Sequence, residues 1–159
     1  MISSRFIRWG LCLFAFCGFG CAAVNVDVGQ TVDWSKITNI AYQPPLEDPW
    51  QLTAAVREEL VKMGFTLLGA DATTADMRVR YFTREGPDLN ANGDLLTRLK
   101  SIHVQFIDPA TDEYLAVVDY FYPYSLEDPG ADSVALAFAE LKRDIQENRR
   151  DSAYAPDTK

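Results

Sequence analysis

The 159 residues include 15 basic and 23 acidic side chains, so the chain is of single-domain size and acidic enough to repel phosphate backbones, which argues against nucleic acid as a partner. The same charge gains nothing from anionic lipid headgroups. All three cysteines, Cys12, Cys17 and Cys21, precede Ala22; the body has no disulfide or thiolate metal site, and is long enough to bury a core without one.

In chain order, Arg5 and Arg8 form a short basic start. Trp9, Leu11, Leu13, Phe14, Ala15 and Phe16 form an apolar run, and Gly18, Phe19 and Gly20 lead into Cys21. This is the layout of an export signal, and its apolar run is short of the roughly 20 residues of a spanning helix. An ordinary cleaved signal and an uncleaved anchor are the competing readings. With cysteine at the cut, the segment resembles the lipobox of bacterial lipoproteins. Gly20 fits that pattern, while Gly18 and Phe19 stand where Leu and a small residue are usual. The resemblance implies a signal peptide over 1–20 and a Cys21 that carries diacylglycerol and often an N-acyl chain. The chain is expected to carry no cofactor, and the resemblance also implies an outer-membrane destination, since Ala22 stands where Asp marks inner-membrane retention. Loss of Arg5 and Arg8 leaves 13 basic and 23 acidic side chains, a mature charge of −10. Attachment then rests on lipid; one acyl chain holds marginally, two or three hold stably.

Val24, Val26 and Val28 alternate with polar residues and predict a strand almost at the anchor. Asp33 to Lys36 reads as a turn and Ile37 to Tyr42 as a buried strand. Asp48-Pro49 predicts a helix start, with Asp48 as N-cap and Pro49 in the first helical position. Leu52, Val56, Leu60 and Met63 supply its apolar stripe, and Gly64 its stop. Phe65 to Leu68 reads as a short strand. Met77, Val79 and Tyr81 alternate with Arg78, Arg80, Phe82 and Arg84 in a strand over 76–84. Residues 85–94 read as a polar loop. Leu99 to Asp108 is a strand with Ile102, Val104 and Phe106 on one face and Ser101, His103 and Gln105 on the other. A tight turn at 108–113 leads to a strand over 114–122. A loop follows in which Leu126 to Pro129 repeats Leu46 to Pro49, a reused connection rather than a duplicated domain. Val134, Phe138, Leu141 and Ile145 mark the second helix, and 149–159 reads as a disordered tail.

Two one-sided helices against a mixed, mostly antiparallel sheet of 4–6 strands predict an α+β two-layer sandwich, a single domain over 21–148. The run from Val32 to Tyr42, the Lys62-Met63-Gly64-Phe65 helix end and the segment Ala75 to Tyr81 resemble small Gram-negative outer-membrane lipoproteins known only as a domain of unknown function. That resemblance implies a periplasm-facing domain on a lipid anchor, and no chemistry.

Candidate chemistry is sparse. Asp88, Asn90, Asn92 and Asp94 with Gly93 match the first half of a calcium loop, whose oxygens alternate around a sharp turn. The position that needs a bidentate Glu is Leu99, and Asn, Asp and Gly are also the usual turn formers. His103 is the only histidine, and no nucleophile motif of the G-x-S-x-G kind accompanies it. With Arg78, Arg80, Arg84, Gln105 and Asp119 it marks a polar sheet face, either a recognition surface or a solvated face of ion pairs. Tyr114, Tyr120, Tyr122 and Tyr124 form an aromatic run. The expected role is a non-enzymatic envelope module with an unidentified protein partner. The alternative is a small-ligand binder or enzyme using loop 85–94 and the Tyr114–Tyr124 cluster.

Overall fold

The computed structural model describes residues 23–29, 32–90, 92–122 and 130–154. Cys21 with all that precedes it, Tyr124, the repeated Leu126–Pro129 and residues 155–159 lie outside them. The elements are β1 (Ala23–Val28), β2 (Asn39–Gln43), α1 (Thr53–Lys62), β3 (Thr66–Leu68), β4 (Met77–Leu89), β5 (Leu95–Ile107), β6 (Tyr114–Phe121) and α2 (Ala131–Tyr154). Their order is the one the sequence patterns predict. They form one open six-stranded sheet, ordered β1-β6-β5-β4-β2-β3. β2 runs parallel to β3 and β4; the other pairs are antiparallel. The fold is α+β, with a mixed, mostly antiparallel sheet and two helices.

The alternation of side chains decides which face is covered. Met77, Val79 and Tyr81 of β4, Ile102, Val104 and Phe106 of β5, and Ala116, Val118 and Tyr120 of β6 are buried. They meet Val56 and Leu60 of α1 and Val134, Phe138, Leu141 and Ile145 of α2 in one core. Each such large apolar side chain contributes roughly 1.5–3 kcal/mol of transfer free energy. α2 lies over β1 and β6, and α1 contacts β3 and α2.

Both ends of α1 are set by specific residues. At the start, the Asp48 carboxylate accepts the Leu52 N–H at 3.0 Å and the Thr53 N–H at 2.8 Å. Asp48 therefore caps the helix, but from further back than its sequence suggests. Residues 49–52 make a turn in which Gln51 takes φ 54°, and the helix begins at Thr53 rather than Pro49. At the other end, Gly64 has φ 93°, the Gly64 N–H meets the Val61 carbonyl and the Phe65 N–H meets the Leu60 carbonyl. This is the paired closure that a left-handed glycine permits.

Other predicted boundaries move as well. The polar loop expected over 85–94 is mostly strand: β4 continues to Leu89, β5 begins at Leu95, and only the turn between them is loop. α2 runs to Tyr154, beyond Arg149, where the tail is expected to begin.

Candidate functional site

The face of the sheet away from the helices carries the polar members of the central strands. Arg80 pairs with Gln105 and Phe82 with His103 across β4 and β5; His103 pairs with Asp119 across β5 and β6. The register thus brings Arg80, Gln105, His103 and Asp119 together from three strands. They form a continuous hydrogen-bonded chain. Arg80 Nε donates to Gln105 Oε1 at 2.7 Å, Gln105 Nε2 lies 2.7 Å from His103 Nε2, and His103 Nδ1 contacts Asp119 Oδ1. One assignment satisfies every group: the imidazole donates from Nδ1 to the carboxylate and accepts the amide N–H at Nε2. The Arg80 guanidinium lies 5.3 Å from the Phe82 ring centroid, and Phe82 lies beside His103.

An Asp–His pair serves hydrolysis when the free imidazole nitrogen faces a nucleophile. Here that nitrogen faces the Gln105 amide. The arrangement fixes side-chain directions on a half-exposed surface, which suits recognition better than proton transfer. The other two predicted face residues are less constrained. Arg78 lies 3.5 Å from Asp112, an aspartate at φ 61° in the β5–β6 turn. Arg84 is exposed and takes part in no ion pair among the described residues. Phe82 and Phe121 are exposed at 46% and 42%, so this face offers aromatic and cationic groups together.

The calcium-loop residues have other partners. Asp88 sits on β4 and accepts from Lys100 Nζ at 2.7 Å. That contact, first among its influences, holds its carboxyl below the usual range. Asn90 Oδ1 accepts the Asn92 and Asp94 N–H groups, and Asn90 Nδ2 donates to Asp94. Gly93 turns at φ 84°. These side chains close a hairpin turn. No group of three or more His, Cys, Asp or Glu that could hold a metal occurs among the described residues.

The described tyrosines of that run, Tyr114, Tyr120 and Tyr122, do not form one cluster. Tyr114 begins β6 and is exposed, whereas Tyr120 is buried in the core and stacks on Tyr122 at the far end of that strand. One cavity, of about 140 Å³, lies between Trp34, Ile37, Met63, Phe65 and Ile145. Another, of about 340 Å³, lies between Tyr42, Thr53, Arg57 and Leu67. Neither adjoins loop 85–94 or Tyr114.

Three features of the site region escape a reading of the sequence. Trp50 Nε1 donates to Glu85 Oε1 at 2.8 Å, tying the β2–α1 loop to the base of the β4–β5 hairpin. Asp48, Thr53 and Tyr81 form a polar knot there: Thr53 Oγ1 and the Tyr81 hydroxyl are 2.8 Å apart, and burial pushes the Tyr81 hydroxyl up to about 12. Finally, Leu46, Leu89, Leu95 and Leu96 are exposed. Their only signal in the sequence is that each interrupts a polar stretch.

No family model matches the chain, and no curated protein matches it in sequence. Among solved structures it is similar to a PelC variant dodecamer from Paraburkholderia phytofirmans, at 9% identity and a TM-score of 0.47, over 76% of this chain and 94% of that one. The PelC dodecamer in a second crystal form gives 11% identity and 0.45, over 75% and 91%. A PDZ domain protein from Parabacteroides distasonis gives 14% and 0.43, over 76% of this chain but 34% of its own. Overlaps this loose leave the functional question to the chain's own residues.

Proposed function

We propose that this protein is a non-enzymatic envelope lipoprotein, anchored through Cys21 in the outer membrane and facing the periplasm, whose open sheet face recognises a protein partner. The observation that carries the reading is the start of β1 at Ala23, two residues after Cys21. A lipid on that cysteine holds the domain against the membrane with almost no tether. The mature charge of −10 provides no attraction to anionic lipid, so acyl chains supply the attachment.

Recognition falls to Arg78, Arg80, Arg84, His103 and Gln105 with the neighbouring Phe82. A local cationic patch steers an acidic partner even on an acidic protein. Asp119 neutralises part of that patch, which leaves Arg84 as its least encumbered charge.

Two measurements test the proposal. Cys21→Ser should abolish acyl labelling and leave the unprocessed precursor; normal processing with membrane retention would overturn the anchor. Arg84→Ala should reduce crosslinked capture of an envelope partner while leaving the unfolding midpoint unchanged, because an exposed charge contributes only about 0–1 kcal/mol to stability. Undiminished capture would remove this face from the proposal.

A further inference from the structure

Strand register fixes which end of the sheet meets the anchor. Arg84 pairs with Ser101, Ser101 with Phe121, and Phe121 with Ala23. This row marks one end of the sheet, where β1 begins and β6 ends. Beyond it, apart from Tyr122, whose N–H still meets the Lys100 carbonyl, β4 and β5 are the strands that continue among the described residues. After a bulge at Arg84/Glu85 they pair for five more positions, from Glu85↔Leu99 to Leu89↔Leu95. At about 3.4 Å per residue this two-stranded arm extends about 17 Å past the row. Covalent geometry keeps Cys21 within about 8 Å of Ala23. The anchor and the arm thus leave the sheet from the same end.

That end also gathers exposed apolar side chains. Leu89 and Leu95 are register partners at the arm's tip, exposed at 56% and 72%, and Leu96 is next to them. β2 runs parallel to β4, so the loop that follows it emerges at this end too, bearing the fully exposed Leu46. Trp50 of that loop is bonded to Glu85 at the arm's base. The arm's charge at Asp88 is matched by Lys100. A projecting pair of strands with exposed leucines at its tip would be a liability on a freely diffusing domain. Beside a lipid anchor it has an apolar surface within reach.

The geometry points to a second membrane contact: the β4–β5 arm lays Leu89, Leu95 and Leu96, with Leu46 alongside, into the interfacial region of the leaflet that holds the Cys21 lipid. This inference rests on the lipoprotein reading. Two points of attachment would fix the domain's orientation and present the Arg80–His103 face sideways along the membrane rather than into it. Because the contact is apolar, it should not depend on the fraction of anionic lipid.

The test uses the full-length, processed protein in phosphatidylethanolamine–phosphatidylglycerol vesicles. Spin labels are placed on Leu95→Cys and, as a reference at the opposite end of the sheet, on Thr111→Cys; acylation blocks the thiol of Cys21. Both positions are exposed, and the circular dichroism of each variant verifies its fold. The expected result is a several-fold higher ratio of oxygen to nickel-chelate collisions at 95 than at 111, unchanged when phosphatidylglycerol is omitted. Protein that floats with vesicles while both labels remain aqueous would overturn the contact and leave the anchor standing. Dipolar broadening between labels at 95 would also overturn it, making the occupant a second copy of the chain. Protein that does not float at all would remove the anchor and this inference together.

Discussion

Asp48 does at residue scale what a whole loop does elsewhere. Burial pulls its carboxyl upward, but the N–H groups of Thr53 and Leu52 outweigh that and hold it below the ordinary range. A carboxyl depressed in the folded state stabilises fully above its unfolded value, about 3.9, and loses that contribution as pH falls through the lower folded one, since the unfolded chain then binds the extra proton. Asp48→Ala should cost about 1 kcal/mol at neutral pH, within the usual range for a lost N-cap. Asp48→Asn retains an acceptor oxygen and should keep part of that stability while flattening the acid limb. Urea midpoints at about pH 7 and about pH 3 would check both, and an Asp48→Ala midpoint equal to wild type would show the cap to be idle. The Arg80–Gln105–His103–Asp119 chain differs in kind: its members are half-exposed, water can replace each bond, and its value lies in holding directions rather than in stability.

The elements divide by how much of each has a covered face. Where a strand buries one side, the pattern is plain: Met77, Val79 and Tyr81, or Ile102, Val104 and Phe106, alternate cleanly and are buried as their spacing predicts. Past Arg84 β4 itself contributes no residue to the core, although its partner Leu99 is still buried there, so Glu85, Gly86, Pro87 and Asp88 show no alternation and read as loop although they are paired. The His103–Asp119 contact was equally beyond firm reading, because it depends on the β5–β6 register, which shifts between Phe106 and Ile107. Helix ends followed local chemistry instead, well at Gly64 and less well at Asp48, whose cap acts across a turn. Gly64 provides the element-scale prediction. No atom lies within 4 Å of a Cβ added there, so Gly64→Ala meets no clash and is opposed only by the left-handed backbone, about 1–2 kcal/mol. A thermal scan should show a lower midpoint with the fold retained. An unchanged midpoint would mean that the paired closure of α1 tolerates a side chain.

At the scale of the whole molecule, the proposed lipoprotein reading raises the question of where an anchor at Cys21 would take the domain. Ala22 is the last residue before β1, and Ala23 is already paired with Phe121. On that proposed reading, a sorting signal immediately after Cys21 would stand within two residues of a paired strand. On the same proposed reading, Ala22 in place of Asp would direct the chain onward to the outer membrane. Density fractionation of envelopes should place the wild-type protein with outer-membrane markers and shift Ala22→Asp to inner-membrane fractions. The substitution precedes the first strand and should leave the unfolding midpoint where it was, so a shift would report sorting rather than damage. Both proteins should remain in membrane pellets at high salt, since attachment through acyl chains and leucines, unlike that of a basic patch, is not screened. Wild type banding with inner-membrane markers would overturn the destination. Salt-extractable protein would overturn the lipid as the means of attachment.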